Sequence, residues 1–139
     1  LVVSTSGTDS DWIVKLIDVF PDDRPGKAIG GAPLASFQQL VRGDVMRGRF
    51  RGGLATPQPF TPNQPTAVDF SLPDVGHTFR SGHRLMVQIQ STWFPLVDRN
   101  PQTFIDVYTA RESDFQKAVQ RVFRAPSTPS RLEFLELPR

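Results

Sequence analysis

Between Trp12 and Phe20 the chain reads Trp-Ile-Val-Lys-Leu-Ile-Asp-Val-Phe, with apolar residues at nearly every position. Side chains alternate along a strand, so Trp12, Val14, Leu16 and Phe20 share one face while Ile13, Lys15, Ile17 and Val19 share the other. Both faces are mostly apolar, which predicts a strand held centrally between layers. Pro21-Asp-Asp-Arg-Pro-Gly26 ends it with turn chemistry, the Gly/Ala/Pro stretch from Lys27 to Pro33 is a loop, and residues 37 to 51 resume extended structure. Pro57, Pro59, Pro62 and Pro65 confine the next stretch to edges and connections, ahead of a short strand over residues 67 to 72. Alternation returns over residues 84 to 92. There Leu85, Val87 and Ile89 face one way and Arg84, Met86, Gln88 and Gln90 the other, the pattern of a half-buried strand. Phe115, Ala118, Val119 and Val122 recur at spacings of three and four, which predicts a short helical segment between Asp114 and Arg124. Leu132 to Leu137 reads as a closing strand, and the N-terminal Leu-Val-Val-Ser-Thr-Ser begins inside one.

Strands recurring about every dozen residues, joined by Pro/Gly-rich connections and without repeated crossover helices, predict an all-β antiparallel β-sandwich. The best single architecture is a jelly roll formed by residues 1–139 as one domain. No internal repeat or low-complexity tract points to a solenoid or propeller. Eleven Phe and two Trp supply apolar volume for a core and argue against disorder. No uninterrupted run of about 18 apolar residues exists, which excludes a helix of membrane-spanning length.

The sequence pI near 9.5 suggests nucleic-acid binding, but it rests on sixteen Lys and Arg against fourteen Asp and Glu, a net charge of only +2. Thirteen of those sixteen bases are Arg, the residue suited to bidentate pairing with carboxylates, so ion pairs within the protein are the expected use. Arg47, Arg49 and Arg51 would share one face of an extended segment and form a ladder paired with carboxylates of a neighbouring sheet or domain. Arg42-Gly-Asp44 matches the integrin tripeptide, a match too short to carry information. The absence of cysteine is compatible with a periplasmic, secreted or cytoplasmic location. With neither an initiator Met nor the features of a signal peptide at its start, the chain reads as cut from something longer.

The chain lacks any Gly-x-Ser-x-Gly, so the strained turn that exposes a serine nucleophile is not encoded. His83 could be oriented as a base by Asp9, Asp11 or Asp98, but a triad also needs that serine and an oxyanion hole. A histidine bonding across a strand end is the expected role, and His77 reads as a turn residue. Two histidines in separate surroundings would make no zinc site. Asp9 and Asp11, with Asp18, Asp22 and Asp23 nearby, offer oxygen ligands for calcium, yet the Gly and terminal Glu of an EF-hand loop are missing. Solvation of turns and strand ends accounts for these carboxylates more simply. No cofactor is implied.

Four segments in order, Ser4 to Asp22, Val45 to Arg51, Phe79 to Ser91 and Phe94 to Pro101, resemble the C-terminal domain of the X-prolyl dipeptidyl-peptidase, cocaine-esterase and α-amino-acid ester hydrolase family. Within them Asp11, Trp12, Lys15, Asp18, Gly82, His83 and Arg84 are motif positions of a structural kind. The run from Trp93 to Phe104 is most similar to the α-amino-acid ester hydrolase and cephalosporin-acylase branch. The resemblance implies a galactose-binding-like jelly roll packed on an upstream α/β-hydrolase domain of the same polypeptide that holds Ser, Asp and His. None of those three has a matching position here, so no catalytic residue carries over.

The expected function is therefore a non-catalytic domain of a bacterial serine hydrolase, supporting the catalytic domain, its cleft or the assembly of a homo-oligomer. The parent's substrate would be an α-amino ester, a β-lactam precursor or an X-Pro peptide. Trp93, Phe94, Pro95, Asp98, Arg99 and Asn100 follow a strand and are the candidate domain interface, because aromatic and Arg residues dominate interface energetics; closure of the domain's own core by Trp93 and Phe94 is the equal alternative, and the two are compatible. The alternative is a carbohydrate-binding module, which needs a platform of exposed Trp or Tyr at a loop end. Neither nucleic acid nor membrane is an expected partner.

Overall fold

The computed structural model describes residues 1–134. They form eight strands: β1 (Val2–Thr5), β2 (Asp11–Val19), β3 (Gln38–Arg47), β4 (Thr66–Ala67), β5 (Arg84–Gln90), β6 (Gln120–Val122), β7 (Arg124–Ala125) and β8 (Thr128–Pro129). The chain is all-β with antiparallel sheets, consistent with a β-sandwich.

Two compact units emerge. The first contains Leu1–Asp11, Met46–Phe70 and the chain from Arg99 on. Its sheet has the order β4-β1-β6. Val2 and Val3 pair with Ala67 and Thr66 on one side, and Val3, Ser4 and Thr5 pair with Val122, Arg121 and Gln120 on the other. Val3, Phe60 and Val68 are its buried apolar residues, each worth about 1.5–3 kcal/mol on full burial. A hairpin of β7 and β8 turns at Pro126 and Ser127.

The second unit contains Trp12–Val45 and Ser71–Asp98. Its sheet has the order β3-β2-β5, so the strand predicted to be central is central. Trp12, Ile13, Val14, Ile17 and Val19 are buried, while Lys15 and Leu16 are half-buried. β5 pairs with β2 from Ile13 opposite Gln90 to Val19 opposite Arg84. β5 forms as predicted, but Leu85 and Val87 are 48% and 39% exposed while Ile89 is half-buried, so the apolar side of this edge strand is only partly covered by the described residues.

The structure corrects four boundaries. The extended segment from residue 37 ends at Arg47 and becomes a 3₁₀ turn, Gly48–Phe50, because Gly48 passes so close to Phe60 and the Ser10 carbonyl that no side chain fits. The strand expected over residues 67 to 72 shortens to β4; Val68 still bonds backbone to backbone with Leu1, and Pro73 follows soon after. No helix forms between Asp114 and Arg124. Two 3₁₀ turns precede that stretch, Val107–Thr109 and Glu112–Asp114, and Gln120–Val122 is drawn into β6 by the free edge of β1. An unpaired strand edge offers a row of hydrogen bonds that a short amphipathic segment satisfies better than an isolated helical turn. Of the expected closing strand, Leu132–Phe134 lie outside any element and 135–137 lie outside the described residues.

Candidate functional site: two buried polar clusters

In the first unit, the bend between β1 and β2 carries Asp9 and Asp11 into the interior. Asp9 is fully buried and Asp11 is 2% exposed. Arg49, delivered by the 3₁₀ turn, donates from Nε and Nη2 to Asp9 Oδ2 at 2.8 and 2.6 Å, and Nη2 also donates to the Ile105 carbonyl at 2.6 Å. The other oxygen of Asp9 accepts from the Ser10 backbone N–H at 2.9 Å. Asn100 Nδ2 bridges the two carboxylates, at 3.2 Å from Asp9 Oδ2 and 2.9 Å from Asp11 Oδ1, and Asn100 Oδ1 accepts from the Gln102 N–H at 2.8 Å. Phe104 lies under the Arg49 guanidinium, 4.9 Å from carbon to ring centroid. The anions are thus met by fixed donors, as buried charges must be.

Burial pushes the Asp11 carboxyl up to about 6, against the lowering influence of Asn100, Arg47 and Arg49, and neighbouring Asp9 adds to the rise. Because the folded state holds this proton more tightly than the unfolded state, Asp11 supports stability at pH below about 4. That support is lost as pH climbs through about 6. The isosteric Asp11→Asn variant removes the titration while keeping an acceptor for Asn100. It is expected to melt higher than the parent chain at pH 8, by the order of 1–3 kcal/mol, with the difference closing by pH 4. Thermal unfolding at both pH values checks this; an equal offset at the two refutes it.

In the second unit, β2 carries Asp18 inward to 2% exposure. His83 Nδ1 lies 2.8 Å from its Oδ1 and His77 Nε2 lies 2.9 Å from its Oδ2. An ionised carboxylate only accepts, so each ring nitrogen facing it carries the proton. His83 also packs against Phe20 at 4.6 Å between centroids, and His77 meets Phe79 edge-on at 4.8 Å. The expectation of separate surroundings for the two histidines is corrected: one carboxylate gathers both. The partner of His83 is Asp18, and the orienting residues considered from sequence were Asp9, Asp11 and Asp98.

The remaining sequence candidates fall as follows. Asp22 is exposed, and its carboxyl is held below the usual carboxylate range by a hydrogen bond from Ser36 and by the Arg84 guanidinium. Gly82 adopts a positive φ of 82°, which explains glycine at the turn into β5. Arg42 donates to the carbonyls of Pro73 and Asp74. The Arg ladder exists only in part: Arg49 meets Asp9, but Arg51 donates to the carbonyls of Gly48, Gln58 and Pro59 and covers Phe60. The 3₁₀ turn breaks the alternation that would have aligned them.

Trp93 is half-buried, with Lys15 Nζ 4.3 Å from its ring centroid. Phe94 and Leu96 are 65% and 68% exposed, Pro95 follows a cis peptide bond, and Asp98 is exposed. Arg99 stacks on Phe115 and lies 3.7 Å from Glu112. Asn100 is buried and serves the Asp9–Asp11 cluster. Ser10, beside that cluster, is fully buried, and its hydroxyl accepts a hydrogen bond from Gln120, so no substrate reaches it.

An all-β chain whose buried carboxylates are tied to Arg, Asn and His, with its cluster serine sealed inside, is built as a structural domain. It belongs to the family described as the X-Pro dipeptidyl-peptidase C-terminal non-catalytic domain, which matches residues 1–133. The cocaine esterase of Rhodococcus sp. (strain MB1 Bresler) is 34% identical over 132 residues, 95% of this chain and 21% of that protein. Among solved structures, an α-amino acid ester hydrolase labelled with selenomethionine shares 48% identity and a TM-score of 0.83, over 93% of this chain and 20% of the other. An aminopeptidase from the marine sediment archaeon Thaumarchaeota archaeon shares 45% identity with a TM-score of 0.82, over 93% of this chain and 21% of that one. The chain thus spans about a fifth of the length of these relatives.

Proposed function

We propose that this chain is the C-terminal, jelly-roll domain of a larger serine hydrolase acting on ester or amide bonds. Its role is to support an upstream α/β-hydrolase domain and help wall its cleft. The observation that carries this reading is the near end-to-end match to a non-catalytic domain within hydrolases about five times as long. The exposed Leu85 and Val87 on β5 supply apolar surface of the kind a covalently attached neighbour would bury, and Phe94 and Leu96 each expose more. Docking needs no residue of the chain to react: held neighbours keep catalytic groups within fractions of an ångström.

The carbohydrate-binding alternative needs exposed aromatic platforms. Trp12 is buried and Trp93 is half-buried against Lys15, which leaves Tyr108, 87% exposed, as the one open Trp or Tyr ring; a single ring makes a poor platform, which favours docking.

The isolated chain is expected to release no product from amino-ester, p-nitrophenyl ester or X-Pro substrates, with or without His83→Ala. In the full-length protein, Val87→Asp is expected to lower both activity and melting temperature while leaving the isolated chain's melting unchanged. Turnover by the isolated chain that disappears in His83→Ala would overturn the non-catalytic role. A polypeptide encoded upstream without Gly-x-Ser-x-Gly followed by Asp and His would overturn the parent class.

A further inference from the structure

Beside Asp18 lies a cavity of about 480 Å³ within the second unit, a volume in the range that holds a small organic molecule. Phe20, His77 and His83 wall it, and Arg24, Arg80, Gln39, Gly76 and Thr78 complete its lining. The charges in this lining are unevenly committed. Asp18 is the one carboxylate among the lining residues, and its two oxygens are engaged by the two imidazoles at 2.8 and 2.9 Å. Arg24 and Arg80 make no ion pair among the described residues. By contrast, the Arg42 and Arg49 side chains are occupied by protein oxygens.

Two arginines without ion-pair partners among the described residues therefore line one cavity whose own carboxylate is already bound. The shared Asp18 holds both imidazoles in place, so the aromatic wall is formed before any ligand arrives, which lowers the ordering cost of binding. A guanidinium fork matches the planar, two-oxygen geometry of a carboxylate, and the Phe20 ring offers an apolar surface for the body attached to it.

The geometry points to this cavity as a binding site for a small organic carboxylate, its anionic end held by Arg24 and Arg80 and its apolar body set against Phe20. A titration of the 139-residue chain with benzoate, followed by the ring resonances of His77 and His83, tests the assignment. Benzoate is expected to shift both histidines saturably, whereas benzamide, the neutral isostere, is not. Inorganic phosphate is expected to bind more weakly than benzoate. Arg24→Ala and Arg80→Ala, at exposed side chains without ion-pair partners, should leave thermal melting unchanged and each weaken benzoate binding at least about tenfold, the effect of losing a charge-assisted hydrogen bond. Benzamide binding as tightly as benzoate, phosphate binding more tightly, unmoved histidine resonances, or full affinity in both Arg variants would each overturn the assignment.

Discussion

Arg49→Ala is expected to lower the melting temperature by about 10–15 °C, the equivalent of about 3–5 kcal/mol in a chain of this size. Its partner Asp9 is fully buried and receives two of its hydrogen bonds from this guanidinium, while the same side chain also satisfies the Ile105 carbonyl. Removing the cation strands a charge away from water, and Ser10 and Asn100 are left as its remaining donors. The cost arises chiefly from the abandoned anion and not from the attraction lost. A double-mutant cycle with Asp9→Asn separates the two contributions. Once Asp9 is neutral, Arg49→Ala should cost at least about 1.5 kcal/mol less than it does alone. Strict additivity, or a drop of only a few degrees for the single variant, would refute the pairing as the keystone of this unit.

Gly48→Ala is the second large effect, about 3 kcal/mol or roughly 10 °C. A Cβ placed there would stand 2.4 Å from Phe60 Cε2 and 2.6 Å from the Ser10 carbonyl oxygen. Neither neighbour yields easily. Phe60 is 2% exposed, its N–H is bonded to the Thr8 carbonyl, and Arg51 covers its ring at 4.5 Å; the Ser10 carbonyl accepts from the Gly48 N–H at 2.9 Å. The clash would displace the turn that delivers Arg49, so the first cluster should weaken with it. Gly76→Ala serves as the control, because that position has open space around it and is outside the positive-φ glycines. It should leave the melting temperature within about 2 °C, as surface changes of about half a kcal/mol do. Equal losses at the two glycines would show that lost backbone freedom, and not steric contact, governs residue 48.

Both predictions turn on residues whose importance the sequence shows only faintly. Asp9, Asp11 and Asp18 read from the sequence as carboxylates solvated at turns and strand ends, which their burial corrects; the surplus of Arg over Lys did signal the internal pairing that Arg49 makes. Asn100 was read as part of an exposed interface run, and only its burial beside two carboxylates reveals its role. Gly48 looked like one more small residue between arginines. A close approach between segments distant in the chain leaves no periodic trace, so the signal available was a glycine interrupting an otherwise alternating stretch.

The alternation of apolar and polar side chains by itself determined that the chain is all-β, that β2 lies at the centre of its sheet and that residues 84–90 form a strand, while its pairing with β2 came from the structure. Those patterns are local, since a strand's two faces are written in successive residues. The missing nucleophile motif and the segments shared with a hydrolase family likewise placed the chain among non-catalytic domains. Tertiary structure alone decided that residues 120–122 form a strand, because the deciding partner is the edge of β1, more than a hundred residues earlier. It alone joined Arg49 to Asp9 across 40 positions and both histidines to Asp18 across 59 and 65. Charges choose partners by distance and burial after the chain has folded, and neither quantity is written in the order of the residues.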